Sequence, residues 1–145
     1  MKNILIFLAS LSFVFQIQSC KKDPSTDITQ RLWDCNASQH FDSTKLATSM
    51  LGSWQWTESF SESIIKADKN IKVVFTSSGT FTVTEDASVK TQGKWGLKIV
   101  DSGILGLTMD NSSEFLYGRI LLCGDKILFN DSYRDGGDNL FTRVK

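Results

Sequence analysis

The feature that most constrains the fold is a series of short segments, beginning near Gly52, in which apolar and polar residues alternate. Ile71–Phe75 and residues 80–84 show this alternation clearly, and a Ser-Ser-Gly sequence at 77–79 separates them. Successive side chains on a strand point to opposite faces of a sheet, so such alternation is typical of strands with one buried face. The two segments and the turn between them predict a β-hairpin.

The other strand candidates show the same alternation or an apolar run of strand length, with turn residues between them. They cover residues 53–56, 89–99, 104–109, 114–122, 126–130 and 139–144. Short strands at this spacing are typical of an antiparallel barrel or sandwich, and about eight strands close a small barrel. We therefore expect an all-β fold, an antiparallel up-and-down β-barrel with a short N-terminal helical segment. A β-sandwich is the alternative.

Helical signals precede the strands, between residues 28 and 51. Asp42 is a candidate N-cap, Leu46 and Met50 recur at helical spacing, and Gly52 is a candidate stop. This segment predicts one or two short helices.

Length and composition limit the classes of function. The chain has 145 residues, which is the size of one domain. Its 16 basic and 16 acidic residues balance, so there is no basic surface of the kind that binds nucleic acid. A single histidine argues against histidine-based metal sites and most histidine-based catalysis.

The N-terminus has the pattern of an export signal. A short positive start, Met1-Lys2-Asn3, precedes a largely apolar run from Ile4 to Ile17. This run is shorter than the roughly 20 residues that a membrane-spanning helix needs. A run of this length behind a positive flank predicts a secretory signal peptide.

The signal ends in Ile17-Gln18-Ser19-Cys20, which resembles the bacterial lipobox. The resemblance implies that the chain is cut before Cys20, that the Cys20 thiol carries a diacylglyceryl group and that the new amine is acylated. Several acyl chains together attach a protein stably to a membrane. Lys21 after the cysteine implies, by analogy with bacterial sorting, a lipid-anchored protein of the outer membrane, at its periplasmic face or on the cell surface. An ordinary signal peptide with an incidental cysteine is the alternative.

These patterns divide the chain into three parts. Residues 1–19 are the expected signal peptide, 20–30 the lipidated cysteine and a polar linker, and 31–145 the β-barrel domain. The composition of the second part, which holds the chain's one proline, is typical of a linker.

Gly52-Ser53-Trp54, on the first strand after a short helix, resembles the Gly-x-Trp signature of lipocalin-like proteins. The wider pattern is similar to the short lipocalin-like lipoproteins of Bacteroidetes, with Phe75–Gly79 as the hairpin and Asp138–Phe141 as the closing motif. The resemblance implies that Trp54 packs at the closed end of a barrel and that Arg143, on the last strand, lies across it. It also implies a small apolar or amphiphilic ligand, bound in the barrel or at its mouth.

Two cysteines remain after Cys20. In an exported protein, an even pair such as Cys35 and Cys123 suggests a disulfide. Two separate buried thiols are the alternative, because the sequence does not give the geometry.

Strand parity places a set of aromatic side chains inside the barrel. If Trp54 points inward, so do Trp56, Phe75, Phe81, Trp95, Tyr117, Phe129 and Phe141. Such a set can line an apolar pocket, or it can fill the barrel as its core.

No motif indicates catalysis, a metal or a cofactor. Asp131, Asp135 and Asp138 form an oxygen-rich loop, but their spacing is not that of an EF-hand, and Gly136-Gly137 indicates a tight turn with solvated acids. His40 has no nucleophile or orienting partner that the sequence identifies. We expect a binding protein rather than an enzyme. A structural or partner-binding envelope protein with a filled barrel is the alternative.

Overall fold

The computed structural model describes residues 24–61 and 63–145. The expected signal peptide 1–19 and the lipidation site Cys20 lie outside the described residues. Within the described part, no helix is both long and apolar enough to cross a bilayer.

Two helices come first, α1 over Pro24–Gln39 and α2 over Ser43–Met50. Pro24 is the first residue of α1. The backbone N–H groups of a helix's first turn have no partner within the helix, so proline, which lacks an N–H, is well suited to this position. The segment expected to be a polar linker is therefore helical from Pro24 onward. Asp42 caps α2, and its side chain accepts a hydrogen bond of 2.7 Å from the backbone N–H of Lys45.

The rest of the described chain forms strands. They are β1 Gly52–Phe60, β2 Ile64–Lys66, β3 Ile71–Phe75, β4 Thr80–Glu85, β5 Ser88–Asp101, β6 Ile104–Met109, β7 Arg119–Cys123, β8 Lys126–Asn130 and β9 Asp138–Arg143. All described neighbours pair antiparallel, and β1 pairs with both β3 and β9. Eight of the described strands thus close a barrel, while β2 folds back onto β1. The all-β barrel expectation is confirmed, and the sandwich alternative is wrong.

The barrel has two different ends. The closed end carries α2, the β3–β4 turn at 76–79 and the β7–β8 turn at 124–125. The opposite end, which we call the mouth, carries the turns that follow β1, β2 and β4. It also carries the segment 110–118 and the β8–β9 loop at 131–137.

Alternation places the apolar side chains inside. Ile71, Val73 and Phe75 of β3 are buried and Lys72 and Val74 between them are not. Leu46 and Met50 of α2 belong to the same core as the barrel interior. The short helix therefore closes the barrel by burying its own apolar face against the strands.

Helix α1 covers the outside of β7–β9. Leu121, Leu128 and Leu140 point away from the interior and form a second buried cluster with Leu32 of α1. Both faces of β7 and β8 are covered, which explains why these strands are continuous apolar runs rather than alternating ones.

Among neighbouring strands of the described barrel, β6 and β7 share the fewest residue pairs. In the described sheet these strands share one residue pair, Gly106 with Arg119, whereas β7 and β8 share five. Helix α1 joins β7 at this seam: the Asn36 side-chain oxygen accepts a 2.9 Å hydrogen bond from the Leu122 backbone N–H.

The disulfide lies beside this contact. Cys35 and Cys123 are bonded, with Cα atoms 5.8 Å apart, so of the two alternatives for this pair the structure has the disulfide. It ties α1 to the closed end of β7.

Candidate functional site

Trp54 and Arg143 meet at the closed end. Trp54 is 0% exposed, and its indole N–H donates a 2.7 Å hydrogen bond to the carbonyl oxygen of Met50. The Arg143 guanidinium carbon lies 4.1 Å from the centre of the Trp54 ring, and Nη1 donates to the carbonyl oxygen of Leu51 at 2.7 Å. The cation and the ring together hold the end of α2 on the barrel.

Gly52 is part of the same arrangement. Its φ of +110° is a conformation that residues with a side chain rarely adopt. A Cβ added there would lie 3.2 Å from Nη1 of Arg143. These three residues form a structural unit in which the Trp54 N–H and the Arg143 guanidinium both donate to backbone carbonyl oxygens.

Four of the expected lining residues are core. Phe75, Phe81, Phe129 and Phe141 are almost completely buried. Phe129 and Phe141 pack edge to face, with ring centres 5.7 Å apart. Their rings fill the barrel, so a ligand cannot reach them without displacing the core.

Trp95 does not line the cavity at the mouth. It is half-buried near the closed end, edge-on to Phe75 at 5.1 Å between ring centres. It lines a groove of about 570 Å³ between α2 and the β3–β4 turn, together with Thr48 and Ser77.

The mouth holds a cavity of about 500 Å³. Trp56, which is 7% exposed, lines it together with Phe115, and their ring centres are 5.2 Å apart. Ile65 of β2 and Lys69 of the following turn line it as well. The sequence patterns missed Ile65 and Lys69, because the stretch around 61–70 shows no strand signal, and Phe115 was not among the expected lining residues.

Tyr117 also lines this cavity, but not as strand parity predicted. The expected strand 114–122 begins only at Arg119, so the parity of β7 does not extend back to Tyr117. Tyr117 is 44% exposed on the rim, and its predicted place inside the barrel is wrong. Leu116, next to it, enters the core instead.

The mouth cavity has two polar atoms whose hydrogen-bonding capacity is unused. Within the described part of the chain, the buried Nε1 of Trp56 has no hydrogen-bond partner. The buried Oδ1 of Asp131 has no hydrogen-bond partner in this part either. Its ion-pair partner is Arg134, whose Nε lies 4.0 Å from this oxygen. A buried polar group without a partner costs about 1–3 kcal/mol. Both atoms belong to residues that line the cavity, so its wall holds one buried donor and one buried acceptor without a partner among the described residues.

Ion pairs organise the rim near the start of β5. Lys69 Nζ and Lys90 Nζ lie 3.4 Å and 2.9 Å from the carboxylate oxygens of Glu85. The hydrogen bond from Lys90 is the main reason that the pKa of Glu85 lies below its ordinary value. Both lysines are about half exposed, so each is held to Glu85 by a surface ion pair.

The aspartates in the β8–β9 loop and at the start of β9 have different environments. Asp138 is buried and accepts hydrogen bonds from the Asn130 side chain at 2.8 Å and from the backbone N–H groups of Asp131 and Ser132 at 2.9 and 2.8 Å. Asp135 is exposed in a left-handed turn conformation, with φ of 62°. Among the described residues, no three His, Cys, Asp or Glu side chains are grouped so that they could hold a metal ion.

A second charged cluster lies outside the barrel. The Arg119 guanidinium stacks 3.8 Å from the centre of the Tyr133 ring and 5.5 Å from that of Trp33, and it hydrogen-bonds Asp101. This hydrogen bond lowers the pKa of Asp101. The cluster joins α1, β7 and the β8–β9 loop, and the sequence contained no sign of it because its members are far apart along the chain.

Comparisons with protein-family models, with curated proteins and with solved structures find no match. The interpretation of the site therefore depends on the residues and geometry of this chain.

Proposed function

We propose that this chain is a lipid-anchored, lipocalin-like protein of a bacterial outer membrane that binds a small amphiphilic molecule at the mouth of its barrel. The lipobox-like sequence before Cys20 supports the anchor. One observation carries the binding proposal: the residues that line the cavity of about 500 Å³ include both an unpartnered donor, Nε1 of Trp56, and an unpartnered acceptor, Oδ1 of Asp131, whereas the groove beside Trp95 has an unpartnered donor alone among the described residues.

The shape and polarity of the cavity suggest the class of ligand. Its volume lies within the roughly 300–1,000 Å³ of small-molecule sites. Phe115 and Ile65 provide apolar contact, while Trp56 Nε1 and Asp131 Oδ1 provide a donor and an acceptor. Because the interior is packed, the apolar part of the ligand lies across the mouth and does not enter the core. The proposal includes no catalytic step.

The test uses the matched variants Trp56→Phe and Trp95→Phe. Each removes an indole N–H that lacks a partner in the described structure, one at the mouth and one near the closed end. We expect an amphiphile to co-purify with the protein from its native host and to raise the melting temperature, because a ligand that binds only the folded state stabilises it. Trp56→Phe should weaken both effects, and Trp95→Phe should leave them unchanged.

Two outcomes would contradict the binding proposal. One is a ligand-free mass in native mass spectrometry together with no thermal shift across fatty acids, isoprenoids and haem-like compounds. The other is an equal loss of binding in the two tryptophan variants.

The filled interior supports a second candidate, a partner-binding envelope protein. Exposed apolar side chains at the mouth, among them Ile65 and Val89, would then contact another protein. A ligand-free protein whose association with an envelope partner is lost on Ile65→Ser would favour this candidate.

A further inference from the structure

Helix α1 places the start of the described chain at the mouth. Thr29 and Gln30 line a cavity of about 380 Å³ with Ser132 and Tyr133, which belong to the β8–β9 loop at the mouth. Further along α1, Cys35 is bonded to Cys123 at the closed end of β7. The helix therefore runs from the mouth toward the closed end, and its first turn lies on the mouth side.

The distance to the expected anchor is short. Pro24, the first residue of α1, is four residues after Cys20. Even fully extended, a chain spans only about 3.5 Å per residue, so these four residues reach about 14 Å at most. A lipid carried by Cys20 would therefore be tethered within about 14 Å of the start of α1, which lies on the mouth side.

The rim at this end is apolar in part. Ile65 and Tyr117 are 49% and 44% exposed, and both line the mouth cavity. Among the charged residues that line the cavity, Asp68, Glu114 and Asp131 outnumber Lys69. Such a rim suits apolar contact with a bilayer surface and does not suit attraction to anionic headgroups.

We infer that the anchored protein turns its mouth toward the bilayer, so that Ile65 and Tyr117 contact the lipid surface and the amphiphile at the mouth is a lipid exchanged with that bilayer. The inference rests on the proposed function, because Cys20 is the anchor. It adds the orientation of the barrel and the source of the ligand.

Two exposed isoleucines allow a matched test. Ile65 lines the mouth cavity, and Ile99, 69% exposed, lies on β5 close to the β5–β6 turn and is not among the residues that line the cavity. The full lipidated protein, carrying either Ile65→Cys or Ile99→Cys labelled with a thiol-reactive fluorophore, is placed on phosphatidylcholine vesicles with brominated acyl chains. Brominated lipids quench only fluorophores that they contact. We expect loss of most of the fluorescence at position 65 and little loss at position 99.

Intrinsic fluorescence gives a second readout without an added label. Brominated vesicles should quench the tryptophan emission of Trp95→Phe, which retains Trp56, and should quench that of Trp56→Phe much less. Increasing the salt concentration should leave the quenching nearly unchanged and adding phosphatidylglycerol should not increase it, because the proposed contact is apolar and acidic residues outnumber basic ones at the rim.

The outcomes separate the orientation from the function on which it rests. Protein that sediments with vesicles but is quenched equally at positions 65 and 99, or more at 99, would overturn the orientation alone. Wild-type protein that fails to sediment, or a Cys20→Ala variant that sediments as well as wild type, would contradict the anchor and the orientation with it. A thermal shift measured without vesicles tests ligand binding separately.

Discussion

At the scale of single residues, the aromatic side chains have two different roles that a count of aromatics does not distinguish. Trp54 is fully buried and has its indole N–H bonded to Met50, whereas Trp56 has its N–H unpaired at the mouth. The first residue stabilises the fold. The second lines the cavity at which we propose that the ligand binds.

We expect Trp54→Ala to lower the free energy of unfolding by about 3–5 kcal/mol, because it leaves a large cavity in the core at the closed end. Chemical denaturation measures the change. Trp54→Phe is the control: it keeps most of the ring volume and loses the hydrogen bond to Met50, so it should lie between Trp54→Ala and wild type. An unchanged midpoint for Trp54→Ala would contradict the burial of this ring.

A pH dependence follows from Asp101. Its hydrogen bond from Arg119 lowers its pKa below the ordinary value of 3.8. A carboxyl group with a lower pKa in the folded state contributes stability above its ordinary value, and that contribution is lost as the pH falls through the folded-state pKa. The stability difference between wild type and Asp101→Asn should therefore narrow below pH 3.8. A difference that stays constant under acid denaturation would contradict this coupling.

At the scale of secondary-structure elements, the two helices perform separate tasks. Helix α2 closes one end of the barrel through Leu46 and Met50. Helix α1 covers the outer face of β7–β9 and supplies Asn36 to a backbone N–H at the weakly paired seam. The N-terminal segment thus completes the barrel wall as well as leading to the expected anchor.

The disulfide fixes this arrangement, so its reduction has a predictable effect. It links residues 88 positions apart, and in the chain-entropy model a loop of that length contributes about 4–5 kcal/mol. Reductant should lower the denaturation midpoint of the wild type accordingly. Cys35→Ser, which cannot form the bond, should resemble the reduced protein and be insensitive to reductant. Equal midpoints for the oxidised and reduced wild type would contradict the prediction.

At the scale of the whole molecule, the barrel is closed but unevenly paired. β4 and β5 share six residue pairs, whereas β6 and β7 share one in the described sheet. Local opening of a protein follows the weakest contacts. The seam between β6 and β7 is therefore the expected site of opening, and it lies below the rim that carries Tyr117.

Hydrogen exchange tests this directly. Amides of β6 and the first residues of β7 should exchange faster than those of β3 and β4, whose ladder is continuous. Reduction of the disulfide should increase exchange at the seam more than elsewhere, because α1 then covers β7 less firmly. Equal protection of the backbone amides in all the barrel strands would contradict weak pairing between β6 and β7.

The sequence by itself determined the class of fold and much of its interior. Period-two alternation is a property of the strand backbone, so Ile71, Val73 and Phe75 could be assigned to one face without knowledge of any partner. The N-cap at Asp42 was equally local, because the capping side chain and its N–H partner are three residues apart. Cap and alternation both depend on neighbours within a few residues.

Only the tertiary structure decided which neighbouring strands pair weakly, which aromatic residues are accessible and at which end of the barrel α1 begins. Tyr117 was misplaced because parity holds only within a strand, and β7 starts later than its apolar pattern suggested. The mouth cavity joins Trp56, Ile65 and Phe115 from separate segments of the chain. Such contacts depend on how the whole sheet closes, and no local pattern encodes that closure, because it is set by the summed packing of all the strands and both helices.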